Sequence, residues 1–276
     1  MNKIEKLPFN WCRNVLIGTL ALAFLSFVGF KPPKPVLYII GDSTVATSSP
    51  KNQIQGWAGY ISAFFDTSKI LIADRAVPGI SSRTYLTKAV HDQKMLRNGM
   101  WDSIKTTIKS GDYVIMQFGH NDDSPLNDTA RSRGSIKGIG NDTLTMFNKF
   151  SRRQEVVHSY GYYIRTFIND ARAKGAIPVL CSPVPMNHWN NGRIIRNDNT
   201  YGLWLSQIGK ETNTTYIDLN KLVADRYESL GQNAVTQDYF APDRVHTTAK
   251  GAELTAYCLA TQLKVTKTLG LRKFLK

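Results

Sequence analysis

The chain has 276 residues, of which 42% are hydrophobic, and a formal net charge of +14. This length fits one α/β domain, and the hydrophobic fraction excludes an intrinsically disordered chain. The positive charge favours an acidic polymer as partner, although a scattered, solvated surface charge is the alternative. A nucleic-acid partner is not expected, because the sequence has no zinc-finger spacing, RNA-binding aromatic motif or basic helix.

The N-terminus has the layout of a secretory signal peptide. It begins with three basic residues, Lys3, Lys6 and Arg13. An uncharged apolar run follows at residues 15–30. A single membrane anchor is the alternative, because no A-x-A cleavage triplet is visible and the run is near the minimum length for a span. We therefore predict a leader at residues 1–30, one domain at residues 31–276, no other membrane contact, and an exported product that is periplasmic, surface-held or secreted.

Five short β-rich runs predict β-strands, at residues 36–40, 69–73, 112–118, 177–181 and 214–217, and the first, third and fourth are nearly continuously apolar. Nearly continuous apolar runs are typical of strands buried on both faces, as in a parallel sheet between helical layers. Helical patterns accompany them, at residues 57–65, 100–108, 155–174, 202–211, 222–230 and 249–265. We predict a flavodoxin-like, three-layer α/β/α sandwich with five parallel strands in the order 2-1-3-4-5. The polar, glycine-rich stretch at residues 121–154 is expected to be a functional or disordered loop.

A serine follows the first predicted strand, and an acid–histidine pair lies near the C-terminus. Ser43 stands in a Gly-Asp-Ser-Thr sequence, where a tight turn would expose its hydroxyl; a helix cap is the alternative role. Asp243 precedes His246 by three residues, so its carboxylate can orient an imidazole that activates a serine. Ligands of parallel sheets bind at the carboxyl ends of the strands. We therefore predict Ser43, Asp243 and His246 as catalytic residues.

Two further positions predict donors for a developing oxyanion. Asn121 follows the third strand, and its side-chain amide can stabilise negative charge on a carbonyl oxygen. Gly79 follows the second strand and permits a backbone amide to approach a substrate closely, with an ordinary turn glycine as the alternative. No metal or cofactor is expected, because neither H-E-x-x-H nor C-x-x-C spacing occurs.

Basic and aromatic residues in two loops are candidates for holding a polymer, namely Arg83, His188, Trp189 and Arg193. An arginine can bind a uronate carboxylate with two parallel hydrogen bonds. A tryptophan can stack on a sugar ring. The alternative for each residue is an ordinary position in a solvated loop.

Together these blocks resemble the SGNH (GDSL-type) hydrolase superfamily over nearly the whole exported chain. The four residues that name it match Ser43, Gly79, Asn121 and His246. The resemblance implies that Ser43 is the nucleophile, that His246 is the base and then the acid, and that Asp243 orients it. It also implies an oxyanion hole formed by the N–H groups of Ser43 and Gly79 and the amide of Asn121.

Longer matches are similar to rhamnogalacturonan acetylesterases, notably Thr44 and residues 75–84, 117–122 and 245–252. This similarity implies a serine esterase that removes O-acetyl groups from an acidic plant polysaccharide or oligosaccharide through an acetyl-serine intermediate. Another acetylated glycan such as xylan, or a lipase or thioesterase activity, stays open as an alternative. A flavodoxin-like or glycan-binding module without catalysis is the alternative from another class.

Overall fold

The computed structural model describes residues 33–49, 51, 53–86, 100–127 and 129–276. The predicted leader at residues 1–30 lies outside them, so the signal peptide and the alternative anchor stay predictions. Pro35–Lys276 clusters as one unit. Within the described ranges, no helix combines the length and the apolar character that crossing a bilayer requires.

The strands, in chain order, are β1 (Val36–Gly41), β2 (Leu71–Asp74), β3 (Tyr113–Gln117), β4 (Thr143–Asn148), β5 (Arg153–His158), β6 (Ile177–Cys181), β7 (Trp189–Asn190), β8 (Arg193–Ile194) and β9 (Thr215–Ile217). Five of them form a parallel sheet in the order β2-β1-β3-β6-β9. Counted among themselves, these strands have the order 2-1-3-4-5. The predicted fold class and strand order are therefore confirmed.

The α-helices that the structure describes are α1 (Ala58–Ile61), α2 (Ser82–Leu86), α3 (Met100–Lys105), α4 (Tyr160–Ala173), α5 (Tyr201–Glu211), α6 (Leu219–Leu230), α7 (Gln232–Asp238) and α8 (Ala249–Val265). Short 3₁₀ turns occur at Ser62–Phe64, Lys267–Leu269 and Leu271–Phe274. Thr248 caps α8, since its side chain accepts a hydrogen bond from Gly251 N. The helices are distributed over both faces of the sheet.

Successive side chains of β1 pack into two different cores. Leu37 and Ile39 belong to a cluster with residues of α1, α6 and α8. Tyr38 and Ile40 belong to a second cluster with residues of α3, α4 and α5. Because neighbouring residues of a strand point to opposite faces, this division shows a central strand covered by helices on both sides.

The predicted helix at residues 155–174 begins too early. β5 continues to His158, and α4 starts at Tyr160. Ser159 caps this helix, because its side chain accepts a hydrogen bond from Tyr162 N. The cap sets the helix start, which the apolar periodicity alone did not locate.

The predicted loop at residues 121–154 contains regular structure. β4 and β5 form an antiparallel hairpin in which Leu144 lies opposite Val157 and Phe147 lies opposite Gln154. Val157 is buried, whereas Leu144 and Phe147 are exposed. Such a weakly amphipathic hairpin gives little hydrophobic signal in the sequence, which is why these two strands were not predicted within the expected functional or disordered loop.

Candidate active site

Ser43 lies in the turn directly after β1, at the carboxyl edge of the sheet. Asp42 shapes this turn, because its Oδ1 accepts from Thr44 N at 2.9 Å and from Thr44 Oγ1 at 2.8 Å. The Asp42 carbonyl oxygen accepts from Val45 N and Ala46 N. A turn and not a helix follows Ser43, so the alternative role as a helix cap does not apply, and the half-buried hydroxyl faces a cleft.

A series of buried side-chain hydrogen bonds supports the turn that contains Ser43. Gln117 Nε2 donates to Thr44 Oγ1 at 2.8 Å, and Trp57 Nε1 donates to Gln117 Oε1 at 3.0 Å. Gly41 is required for this close packing, because a Cβ there would lie 2.6 Å from both Gln117 O and Val45 Cγ2. The backbone before Ser43 is therefore fixed by β3 on one side and by its own turn on the other.

Ser43, His246 and Asp243 form a hydrogen-bonded line. Ser43 Oγ lies 2.7 Å from His246 Nε2, and His246 Nδ1 lies 2.6 Å from Asp243 Oδ2. The second carboxylate oxygen, Oδ1, accepts from His246 N at 2.9 Å and from Val245 N at 3.0 Å. A carboxylate can only accept, so Nδ1 carries the proton and Nε2 is left to accept from the serine hydroxyl.

Ser43 and His246 are in contact although they lie 203 residues apart in the sequence. Two backbone segments beside the pair are joined, since Gln55 N donates to Thr247 O at 2.8 Å and Thr247 Oγ1 donates to Gln55 O at 2.7 Å. Ala241 N donates to His246 O at 2.8 Å. These bonds hold the histidine loop against the loop that follows the serine.

Asp243 is held in its charged form. Partial burial opposes ionisation, but hydrogen bonds from the backbone and imidazole of His246 and from Val245 N outweigh it and lower the pKa of the Asp243 carboxyl. The carboxylate therefore remains available to stabilise an imidazolium when His246 takes a proton.

Gly79 and Asn121 line the same cleft as Ser43. Gly79 has a φ of +77°, in the left-handed region that favours glycine. Asn121 is buried, and its Nδ2 donates to Ile80 O at 2.7 Å. A side-chain amide has two N–H groups, so this bond orients Asn121 and leaves a second donor for a ligand. The structure thus brings together all five residues predicted for catalysis and the oxyanion hole.

His120 is engaged away from the serine. Its Nε2 lies 2.9 Å from the carbonyl oxygen of Val184, and its Nδ1 lies 3.2 Å from Asp42 Oδ2. Burial alone would lower the pKa of His120, but the Asp42 carboxylate and the Val184 carbonyl raise it. Because both ring nitrogens face acceptors, His120 is held by Asp42 and the Val184 carbonyl and is not a second base for Ser43.

Arg83 is not a substrate contact, and that prediction is wrong. The side chain is fully buried, and its Nε and Nη2 donate to the two carboxylate oxygens of Glu155 at 2.8 and 2.6 Å. Its Nη1 donates to Leu126 O at 2.8 Å and to Gly134 O at 2.6 Å. A buried guanidinium requires such partners, and here it joins α2 to the hairpin.

The other three predicted substrate contacts, His188, Trp189 and Arg193, lie in different surroundings. His188 is exposed and lines a second cavity of about 360 Å³, which shares His120 and Met186 with the cleft at Ser43. Trp189 is half-buried against the core, and its Nε1 donates to Asn187 Oδ1 at 2.7 Å. Trp189 and the exposed Arg193 line neither cavity.

The cleft at Ser43 has a volume of about 920 Å³ and includes residues that the sequence reasoning missed. The missed residues include Arg131, Arg133, Phe150 and Met186. Both arginines come from the polar stretch before β4. The alternation of basic and small residues from Arg131 to Gly134 is the signal that could have found them.

A doubly wound parallel sheet with a serine, an imidazole and a carboxylate aligned at its carboxyl edge is the arrangement of a serine hydrolase. The comparison with family models agrees with this class. Residues 39–254 match the GDSL-like Lipase/Acylhydrolase family, and the chain belongs to that family.

Two curated relatives are similar over most of their length. The chain is 30% identical to the rhamnogalacturonan acetylesterase of Emericella nidulans over 222 residues, which cover 80% of this chain and 81% of the relative. It is 28% identical over 232 residues to the "Probable rhamnogalacturonan acetylesterase YesY" of Bacillus subtilis, covering 83% of this chain and 92% of the relative.

Solved structures agree with the fold. The structure of YxiM from Bacillus subtilis has a TM-score of 0.65 at 22% identity and is matched by 88% of this chain. The chain spans 58% of that protein's length. The acetylxylan esterase Axe2 of Geobacillus stearothermophilus has a TM-score of 0.51 at 16% identity, over 83% of this chain and 94% of Axe2. These likenesses establish a shared fold.

Proposed function

We propose that the protein is a serine esterase that removes O-acetyl groups from an acidic plant polysaccharide of the rhamnogalacturonan type. The observation that carries the proposal is the line from Ser43 Oγ to His246 Nε2 at 2.7 Å and from His246 Nδ1 to Asp243 Oδ2 at 2.6 Å. In this geometry the imidazole can take the serine proton while the carboxylate stabilises the resulting charge.

The reaction proceeds in two displacements. His246 accepts the Ser43 proton as Oγ bonds to the acetyl carbonyl carbon, and the carbonyl oxygen becomes an oxyanion. The N–H groups of Ser43 and Gly79 and the second N–H of Asn121 Nδ2 are its proposed donors, and one such donor lowers the barrier by about 3 kcal/mol. The bond to the sugar oxygen then breaks as that oxygen receives the proton from His246. Water, activated by the same imidazole, hydrolyses the acetyl-serine.

Three observations support an acidic polysaccharide as substrate. Two curated relatives carry the name rhamnogalacturonan acetylesterase. The net charge of +14, of which the predicted leader contributes only +2 through Lys3, Lys6, Arg13 and Glu5, favours a polyanion. The cleft of about 920 Å³ adjoins the second cavity of about 360 Å³, so the candidate site offers room for more than one sugar.

The test is acetate release from acetylated rhamnogalacturonan and acetylated xylan, measured side by side. We expect turnover of the rhamnogalacturonan, and its loss in Ser43→Ala with no change in the melting temperature. Ser229→Ala is the matched control, because Ser229 is exposed and its hydroxyl bonds only Arg226 O among the described residues. Release of acetate by Ser43→Ala at the parent's rate would show that Ser43 is not the nucleophile.

The same assay separates the alternatives. Faster turnover of acetylated xylan would assign the protein to a neutral glycan, and hydrolysis of long acyl esters alone would make it a lipase or thioesterase. Failure with every activated acetyl ester would favour a glycan-binding module that keeps the fold without catalysis.

We also propose that the protein is exported, from the basic start and apolar run of residues 1–30. N-terminal sequencing of the protein recovered from outside the cytoplasm tests this proposal. A new N-terminus after the apolar run is expected. An intact Met1 on a membrane-bound product would favour the anchor.

A further inference from the structure

One wall of the cleft at Ser43 carries two arginines. Arg131 is exposed and Arg133 is half-buried, and both line the cleft together with Ser43 and His246. Both reach the turn that contains Gly79: a Cβ on Gly79 would lie 3.0 Å from Arg131 Nη1 and 3.7 Å from Arg133 Nη1. The two guanidinium groups therefore stand beside the proposed oxyanion donor.

The charges that line the cleft favour an anion. Of the described residues that form its wall, Asp243 supplies the one carboxylate, and that carboxylate is bonded to His246. His120 also lines the cleft, and its Nδ1 lies 3.2 Å from Asp42 Oδ2. Arg131 and Arg133 thus place positive charge on the side of Gly79, which attracts a substrate anion entering the cleft.

The two arginines differ in exposure. Arg133 Nε donates to Ser124 Oγ at 3.0 Å, and its Nη1 donates to Gly79 O at 3.0 Å. Arg133 therefore fixes the Gly79 turn against the loop. Arg131 is the more exposed of the pair, and its Nη1 is the atom nearest to the open side of Gly79. Its planar fork of donors suits a carboxylate bound by two parallel hydrogen bonds.

We propose that Arg131 selects acetyl esters that carry a neighbouring carboxylate, as in a uronate sugar, by pairing with it while the acetyl carbonyl lies over Ser43. This inference rests on the proposed esterase function and names the residue that separates acidic from neutral glycans. The position of Arg131 beside Gly79 places the carboxylate on the acetylated sugar or on its immediate neighbour.

The test uses one acetylated, uronate-containing oligosaccharide and its carboxyl-reduced form, which keeps the acetyl groups and loses the negative charge. The parent, Arg131→Gln and Arg131→Lys are compared on both, and on p-nitrophenyl acetate as a neutral reference. Arg153→Gln is the charge-matched control, because Arg153 is exposed on β5 and does not line the cleft.

For Arg131→Gln we expect kcat/KM on the acidic substrate to fall about tenfold to a hundredfold, the range for one charge-assisted hydrogen bond. The Lys variant should keep part of the preference. Activity on the reduced substrate and on p-nitrophenyl acetate should stay unchanged, and added salt should weaken the parent's preference. Arg153→Gln should behave as the parent.

Equal losses on acidic and neutral substrates would overturn the inference, since Arg131 would then act on the oxyanion or on the loop. Equal turnover of the two oligosaccharides by the parent would overturn it as well and would leave the esterase function standing. A third outcome is that the protein hydrolyses p-nitrophenyl acetate through Ser43 but acts on neither oligosaccharide. That outcome would contradict the proposed polysaccharide substrate and the inference with it, while the esterase activity would stand.

Discussion

Ser43 and His246 are held at the edge of a buried sheet, whereas Arg131 and Arg133 are held by a loop with a polar interior. We call five residues the sheet-edge half of the cleft, namely Ser43, Gly79, Asn121, Asp243 and His246. The loop half consists of residues 122–127 and 129–135 with their partners Ser82, Arg83 and Glu155. Beneath the sheet-edge half, β1 is buried between two apolar clusters.

The loop half is fixed by a few buried polar contacts. Asp122 accepts from Ser82 N at 3.1 Å and from Ser135 Oγ at 3.0 Å, and Arg83 pairs with Glu155 through both carboxylate oxygens. Apolar burial is spread over many residues, whereas each buried polar contact is individually expensive to break. We therefore expect substitutions in the sheet-edge half to reduce activity, and substitutions in the loop half of the buried Asp122 and Arg83, or of Glu155 that pairs with Arg83, to reduce stability.

The largest effect is expected for Asp243→Asn. Loss of the carboxylate removes the acceptor that fixes the His246 tautomer, and in such triads kcat falls by about ten-thousandfold. The free energy of unfolding should change little, because the Asp243 side chain is 43% exposed. Steady-state kinetics on p-nitrophenyl acetate and a urea titration measure both. Asp238→Asn, which removes an exposed partner of Lys250, is the control. A loss below tenfold would contradict the role.

Glu155→Gln should have the largest effect on stability. It leaves the fully buried guanidinium of Arg83 without its counter-charge, which costs about 3–5 kcal/mol of unfolding free energy. The chain offers a matched control in Glu211→Gln, because Arg165 also binds Glu211 through Nε and Nη2, at 2.9 and 2.6 Å, but on the surface. There we expect about 0–1 kcal/mol. If urea unfolding gives equal losses of unfolding free energy for Glu155→Gln and Glu211→Gln, the proposed difference between the two halves is contradicted.

Asn121→Ala should lower kcat by about a hundredfold to a thousandfold, the effect of removing one oxyanion donor. KM should change little, because the donor strengthens its bond only as charge develops on the carbonyl oxygen. Initial rates over a range of substrate concentrations separate the two constants. An unchanged kcat with a raised KM would show that Asn121 binds the ground state and not the oxyanion.

The smallest effect is expected for the pH dependence of the unfolding free energy, through the carboxyl group of Asp122. Burial raises the pKa of its carboxyl from 3.8 to about 6, against the hydrogen bonds from Ser82 and Ser135. The folded state therefore keeps a proton that the unfolded chain releases between these values. The contribution of Asp122 to stability falls as pH rises through this window, by at most about 1.4 kcal/mol per pH unit. Urea midpoints measured across it should decline more steeply for the parent than for Asp122→Asn; parallel curves would refute the assignment.

The sequence predicted the sheet-edge half because its residues follow strands. Ser43 comes directly after β1, and Asn121 comes shortly after β3. Apolar runs located those strands within two residues, and parallel strands bring their carboxyl ends to one edge. His246 was predicted from its spacing to Asp243, which needs no long-range knowledge.

The loop half could not be predicted in the same way. Arg83 carries the same local signals as a surface arginine, and only the folded chain shows Glu155 beside it, 72 residues away. Arg131 likewise gives no strand or helix signal, and its nearness to Gly79 depends on the path of the loop. The hairpin of β4 and β5 was missed because exposed apolar residues blur its period-two pattern.

The amino-acid sequence by itself determined the family, the parallel sheet and the identities of the residues at the strand ends, because backbone periodicity and short-range spacing are local properties. The tertiary structure alone decided which charged side chains are buried and which face the cleft. That division depends on desolvation and on partners distant in sequence, so Arg83 forms an internal ion pair while Arg131 lines the cleft that contains Ser43.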